Sequence, residues 1–199
     1  MTASGVFYST YDSPLGELLL IGDGQALTGL YMQAQKYARE VQQEWKCDAR
    51  PFQAVVEQLD AYFVGELRDF DLSLAPRGTD FQRTVWRALL DVQFGTTTTY
   101  GELARRIGSP NAPRAVGLAN GHNPIGIIVP CHRIIGANGS LTGYGGGIER
   151  KRWLLAHEAR WNYGLAPVVS AVRASSRAST RSDSARASVH SPRRRSHTS

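Results

Sequence analysis

Cysteine is scarce in this chain. Its 199 residues hold only two, Cys47 and Cys131, far apart and matching no metal-ligand spacing. A disulfide framework and a zinc site are therefore not indicated. Also missing are a basic n-region with an apolar h-region in Met1 to Ser13, and any hydrophobic run long enough to span a membrane. The chain is expected to be soluble and intracellular, with one or two domains around one sizeable core.

The formal net charge of +6 is unevenly distributed. From Pro167 to Ser199 there are seven Arg and one Asp, so this segment accounts for the whole excess. In the remaining 166 residues, 16 basic and 16 acidic side chains cancel. Residues 1–104 nevertheless carry 8 basic against 14 acidic groups, and residues 105–166 carry 8 against 2. A positive end of this kind is the electrostatic footprint of a polyanion binder, although an ordinary solvated face has the same composition.

That positive half contains Asn123-Pro124-Ile125-Gly126-Ile127-Ile128-Val129-Pro130-Cys131-His132-Arg133. The β-branched run has the composition of a buried strand, and Pro130 stops it. A thiol, an imidazole and a guanidinium follow at once. Neighbouring cations favour a thiolate, whereas a lone Cys in apolar company is ordinarily a core residue. If the strand continued, Cys131 and His132 would point to opposite faces, so coupling them requires a turn or a bridging water.

Taken in order, Val6 to Thr10, Glu17 to Ile21 and Leu27 to Tyr31 read as strands, the first two joined by turn residues at Asp12 to Gly16. Ala54 to Leu67 has helical spacing at Val55, Val56, Leu59, Phe63 and Leu67. No chemistry is evident in this acidic part, and Cys47 reads as an incidental thiol. Arg77-Gly78 marks a boundary. Thr79-Asp80-Phe81-Gln82 has the form of a capping box opening a helix that buries Phe81, Val85, Trp86 and Leu89, and Thr99-Tyr100-Gly101-Glu102 has the form of a second. The helix after Thr99 closes at Gly108, and another runs from Pro113 to Asn120. The pair is a helix-turn-helix candidate, although spacing alone equally allows an ordinary helical hairpin.

The second helix is almost bare, with Ala115, Gly117 and Ala119 and one long cation, Arg114. Small residues admit close approach to a surface, and a single Arg can enter a groove or replace an extruded base. After Asn138-Gly139-Ser140, a turn, Gly143-Tyr144-Gly145-Gly146-Gly147 is either a pocket wall or a flexible linker. Ile148 to Arg160 reads as a helix carrying Lys151 and Glu158. Beyond Gly164 the Ser/Arg/Ala composition predicts disorder. That tail could add nonspecific nucleic-acid affinity or be a plain solvated extension.

Pro130-Cys131-His132-Arg133, with Asn123-Pro124-Ile125 before it and Gly143-Tyr144-Gly145-Gly146-Gly147 after it, resembles the active-site signature of the methylated-DNA–protein-cysteine methyltransferases. The match runs in register from about Asp80 to Glu158 and more loosely to the N-terminus. The resemblance implies an α+β protein. Residues 1–77 would be a ribonuclease H-like scaffold of sheet and helix. Residues 78–166 would be a mainly helical DNA-binding and alkyl-acceptor domain with the helix-turn-helix, and 167–199 the disordered tail. It implies one-shot transfer of an alkyl group from O6 of guanine in DNA (and O4 of thymine as a further candidate) to Cys131, with no cofactor or metal. His132 would take the thiol proton through a water and Glu158 would orient His132. Tyr100 would donate to the departing base, and Asn123 would be the hinge. Tyr144, Gly145 and Lys151 would contribute to the pocket. Arg114 would be the finger filling the gap in the duplex, with Ala115, Gly117, Ala119 and Asn120 on the DNA side of the same helix. The implied partner is duplex DNA containing O6-alkylguanine, and the protein would be a monomer without membrane association, in the cytoplasm of a prokaryote or the nucleus of a eukaryote. Gly126 stands where many relatives have Pro, and the zinc ligands of some relatives are not evident.

Two other classes compete. A lesion-flagging DNA binder would lack the acceptor, and Cys131 argues against it. A Cys-His hydrolase would turn over and need no DNA-binding helix.

Overall fold

The structure is a computed structural model describing residues 5–162. The tail expected to be disordered lies outside the described residues. The three expected strands form β1 (Phe7–Ser13), β2 (Gly16–Gly22) and β3 (Leu27–Met32). Ser13 pairs with Gly16 across the Pro14-Leu15 turn, so β1 runs further than its apolar part suggests. β4 (Lys46–Cys47) adds in parallel beside β1, giving the order β3-β2-β1-β4. Alternation puts Leu18 and Leu20 on the face packed with α1 (Gln53–Phe63), whose Val55, Leu59 and Tyr62 are buried. The opposite face holds the smaller cluster of Ile21, Tyr31 and Trp45.

α1 stops short of the expected Leu67. Gly65 lies in the left-handed region at φ +83°, and the Trp161 ring fills the space a Cβ would need. α2 (Asp80–Leu90) opens with the complete capping box: Gln82 N donates to the Thr79 hydroxyl at 3.2 Å and Thr79 N to Gln82 Oε1 at 2.9 Å. Val85, Trp86 and Leu89 are buried, while Phe81 is only half-buried. Thr79→Ala is expected to cost about 1 kcal/mol, read as a lower urea midpoint at unchanged slope.

β5 (Thr98–Thr99) leads into α3 (Tyr100–Arg106), and α4 (Pro113–Gly121) follows after the turn at Gly108. The second box forms only by half. Thr99 accepts from Glu102 N at 3.1 Å, but the Glu102 carboxylate pairs with Arg105 and Arg106 instead of returning to the cap.

The expected buried strand from Asn123 is a buried turn. Asn123 Oδ1 accepts from Ile125 N at 3.0 Å, and its Nδ2 donates to the Val129 carbonyl at 2.8 Å. The side chain thereby closes the loop on itself, with Ile127 at φ +68°. Ile125, Ile127, Ile128 and Val129 are all buried, so composition alone could not separate this turn from a strand. Its one β-bridge is to β3: Leu30 N donates to the Pro124 carbonyl at 2.8 Å and Gly126 N to the Leu30 carbonyl at 3.0 Å. Gly126 thus spends an N–H that Pro would lack.

A 3₁₀ turn over Cys131–Arg133 follows, then β6 (Ile134–Ile135), parallel to β5, and α5 (Ile148–Asn162). The main apolar cluster is continuous from Leu15 to Leu154, running through Leu30 and Ile125. Among the described residues no helix is long and apolar enough to cross a membrane.

Candidate active site

Pro130 ends the turn that Asn123 closes, and Cys131 begins the 3₁₀ turn. Successive side chains there are separated by about 120° rather than set on opposite faces, so the objection that a continuing strand would raise does not apply. The Cys131 carbonyl accepts from Asn120 Nδ2 at 3.3 Å, fixing the turn to the end of α4.

Cys131 is buried, 6% exposed. Burial pushes its pKa up. Hydrogen bonds from the Asn123 side chain and from the amides of Cys131 and His132, with the Lys151 charge, only partly offset that rise. The resting group is therefore a thiol. Cations flanking it in sequence do not preform a thiolate, because His132 is buried and neutral and Arg133 is turned elsewhere.

His132 is fully buried, with Nε2 2.8 Å from Glu158 Oε1. Facing a carboxylate, Nε2 carries the proton, which leaves Nδ1 as an acceptor. Among the described residues Nδ1 has no hydrogen-bond partner. Burial lowers the His132 pKa more than Glu158 raises it. The imidazole is therefore neutral, with an unprotonated Nδ1.

Glu158, buried on α5, is held by four residues. Its Oε1 accepts from His132, from Tyr62 Oη at 3.0 Å and from Arg133 Nη2 at 2.9 Å. Its Oε2 accepts from Arg133 Nε at 2.9 Å and from Gly95 N at 3.1 Å. Burial alone would raise its pKa, but His132 and Arg133 hold the carboxyl well below the usual range.

Two turns earlier on α5, Lys151 is also buried and donates to the carbonyls of Ile134 (2.5 Å) and Thr142 (2.8 Å). Burial brings its pKa down to about 8, against the opposing pull of Cys131. The Thr142 carbonyl also accepts from Tyr100 Oη at 3.0 Å, so Tyr100 and Lys151 meet at the start of the glycine loop. Tyr144 is half-buried beside Met32 Sδ, and burial, with Cys131 nearby, holds its phenol far above the ordinary range. A Cβ on Gly145 would come within 3.3 Å of the Gly121 carbonyl, so this loop lies tight against the end of α4.

On α4, Arg114, Ala115 and Leu118 are exposed and Gly117 is half-buried. Ala119 and Asn120 do not share that face, which corrects their expected placement. The Ala119 carbonyl accepts from Trp86 Nε1 at 2.9 Å, and Asn120 reaches Cys131. At nine residues the helix has one face for the core and one for solvent, and the period of 3.6 puts these two inward.

Sequence reasoning missed four contributors: Tyr62, the Gly95 amide, the pairing of Arg133 with Glu158, and Tyr37. Tyr62 falls on the buried stripe of α1, where a hydroxyl needs a partner. That signal was available; the partner's identity was not. Tyr37 stacks on His122 with centroids 4.0 Å apart. With Gly117, Gly121 and the loop Gly143–Gly145 it borders an open cavity of about 190 Å³. Cys47 is exposed, and the described residues hold no His/Cys/Asp/Glu cluster suited to a metal.

The site thus holds a buried thiol, a buried histidine–carboxylate pair and a helix end tied to the same turn, the residue types that covalent chemistry at a cysteine uses. Residues 80–160 match the 6-O-methylguanine DNA methyltransferase DNA binding domain, and residues 6–76 match the ribonuclease-like domain of the same proteins. The methylated-DNA–protein-cysteine methyltransferase of Mycobacterium tuberculosis is 58% identical over 153 residues, covering 77% of this chain and 92% of the relative. That of Methanosarcina acetivorans is 50% identical over 153 residues, covering 77% and 98%. The crystal structure of Mycobacterium tuberculosis OGT in complex with DNA superposes with a TM-score of 0.73 at 57% identity, covering 78% of this chain and 94% of that one. The chain belongs to the methylated-DNA–protein-cysteine methyltransferase family.

Proposed function

We propose that the protein repairs DNA by moving an alkyl group from O6 of guanine to Cys131, once per molecule. The observation that supports this is a sequestered thiol followed in the same turn by a buried histidine whose Nε2 is fixed by Glu158 and whose Nδ1 has no hydrogen-bond partner among the described residues. The target atom lies inside a duplex, so the nucleotide must leave the stack. Arg114, with Ala115 and Gly117 on the exposed side of α4, would hold the opened duplex, and Tyr144 and Gly145 would border the base.

The Cys131 proton passes through a bridging water to Nδ1 of His132, and Glu158 stabilises the imidazolium. A bond forms between Sγ and the alkyl carbon while the bond from that carbon to O6 breaks, its electron pair returning to the guanine. The Tyr100 hydroxyl supplies the proton the departing base takes up. Lys151, near the sulfur, favours the thiolate as it forms. Asn123 keeps Cys131 in place by closing its turn. A thioether offers no easy return to the thiol, so the reaction ends there.

We place the DNA-binding and acceptor machinery in 78–166 and the supporting unit in 1–77, a division the two matched ranges support. Bacterial and archaeal relatives favour cytoplasm over nucleus as the compartment. With duplex DNA carrying O6-methylguanine, intact mass should rise by about 14 Da, one methyl for one proton, on the Cys131 peptide and not on Cys47. Repaired DNA should equal modified protein. No mass gain would overturn the reading, and repeated turnover would mark a hydrolase instead.

A further inference from the structure

We infer that Tyr62, on α1 in the N-terminal half, is a positioning residue of the acceptor centre, whose hydroxyl shares Glu158 Oε1 with His132 and so sets the basicity of that imidazole. This rests on Cys131 being the alkyl acceptor. It also gives the N-terminal half a share in the chemistry.

Tyr62 is fully buried, and its Oη lies 3.0 Å from Oε1. The ring needs no hydroxyl to stay where it is. It packs edge-on to Phe63 at 5.3 Å and Phe94 at 6.1 Å, and tilted on Phe70 at 5.4 Å. The Tyr62 carbonyl is engaged as well, accepting from His157 Nε2 at 2.9 Å. A phenylalanine would satisfy every one of these contacts. The charge of Glu158 is also met without Tyr62, because Arg133 bridges both carboxylate oxygens.

What the hydroxyl adds is a third donor on the oxygen that faces His132. Each donor draws charge from Oε1 and weakens its hold on an imidazolium proton. Burial already outweighs the pull of Glu158 on His132, and Tyr62, by donating to the same oxygen, weakens that pull further, so that the imidazole gives up a proton more readily. Burial and the Glu158 charge keep the Tyr62 phenol protonated far above the ordinary range, so it remains a donor throughout.

The groups facing this centre come from every element around it. Tyr62 comes from α1, the Gly95 amide from the loop after α2, and Cys131 and Arg133 from the 3₁₀ turn. Tyr144 comes from the glycine loop, and Lys151, His157 and Glu158 from α5. Arg133 and Lys151 both lower the His132 pKa, and Glu158 alone raises it.

The test compares wild type with Tyr62→Phe in two measurements. One is the single-turnover rate on O6-methylguanine duplex from pH 5.5 to 9; the other is titration of the His132 imidazole by NMR. Removing the hydroxyl should move the acidic limb of the rate profile, and the His132 midpoint with it, to higher pH by about half a unit to one unit. The rate on the alkaline side should stay within about twofold. Superimposable titrations, or a rate lowered by one factor at every pH, would overturn the inference, since packing alone gives no pH displacement. If wild type is not alkylated at Cys131, the acceptor reading fails. The NMR midpoints then still decide whether Tyr62 tunes His132.

Discussion

Cys131→Ser is expected to abolish alkyl transfer, lowering the single-turnover rate by about 10⁴-fold or more, a loss typical of removing a nucleophile from a coupled site. The hydroxyl is close in size and would sit in the same buried place, where the bonds to the turn's main chain, Cys131 N to the Val129 carbonyl at 2.8 Å and Asn120 Nδ2 to the Cys131 carbonyl, persist. What changes is acidity. The thiol is already pushed up by burial and depends on Asn123, Lys151 and the local amides to come within reach of His132. An alcohol starts so much higher that a neutral imidazole cannot take its proton at useful cost. Cys47 cannot substitute, because it is exposed on β4. Affinity for the alkylated duplex should be nearly unchanged, which separates loss of chemistry from loss of fold. Measurable transfer by the serine variant would mean that the acceptor is another residue.

Glu158→Gln is expected to be the most destabilising conservative change at the site, costing about 3–5 kcal/mol. That is a large fraction of the 5–15 kcal/mol typical of a domain. The cause is the charge left behind: Arg133 is 5% exposed, and without the Glu158 carboxylate no acidic group among the described residues pairs with its guanidinium, which keeps the Val92 carbonyl at 2.5 Å. An amide can accept with its oxygen but offers no charge, and its NH₂ group would meet donors.

The effect has a defined pH dependence. In the folded protein the Glu158 carboxyl is held below its ordinary range, so its contribution is complete above the unfolded-state value of about 4.3 and is lost as pH falls toward the folded one. His132 is also shifted down, so below about pH 6.5 the unfolded chain binds a proton that the folded one does not. Both slopes make wild type less stable in acid. Urea unfolding should show the full gap between wild type and Glu158→Gln at about pH 7 to 8, and the part due to the carboxylate should shrink as pH falls below about 4.3. A gap under about 1 kcal/mol at neutral pH would show that the pair is solvated and not structural.

Local chemistry was legible where it is short-range. Thr79 and Gln82 satisfy each other's amides within one turn, so the capping box could be read and is complete. Thr99 and Glu102 have the same spacing, yet Arg105 and Arg106 compete for the carboxylate, and half the box is lost. The alternating apolar residues of β2 and the helical stripe of α1 identified their elements because one face of each is buried. The run from Ile125 to Val129 is buried on all sides, so its pattern carries no period and its turn looked like a strand.

By itself the sequence determined the family, the candidate acceptor cysteine and its histidine neighbour, the polarity of charge and most of the elements. These depend on residue identity and on spacing within a few positions. Only the tertiary structure decided who faces whom across the chain. It turned Ala119 and Asn120 inward and committed Arg133 to Glu158 rather than to the thiol. It hooked the turn before Cys131 onto β3 through Leu30, and it brought Tyr62, 96 residues away in sequence, onto the carboxylate of Glu158. A buried polar group announces in sequence that it needs a partner; which partner it finds is settled by packing.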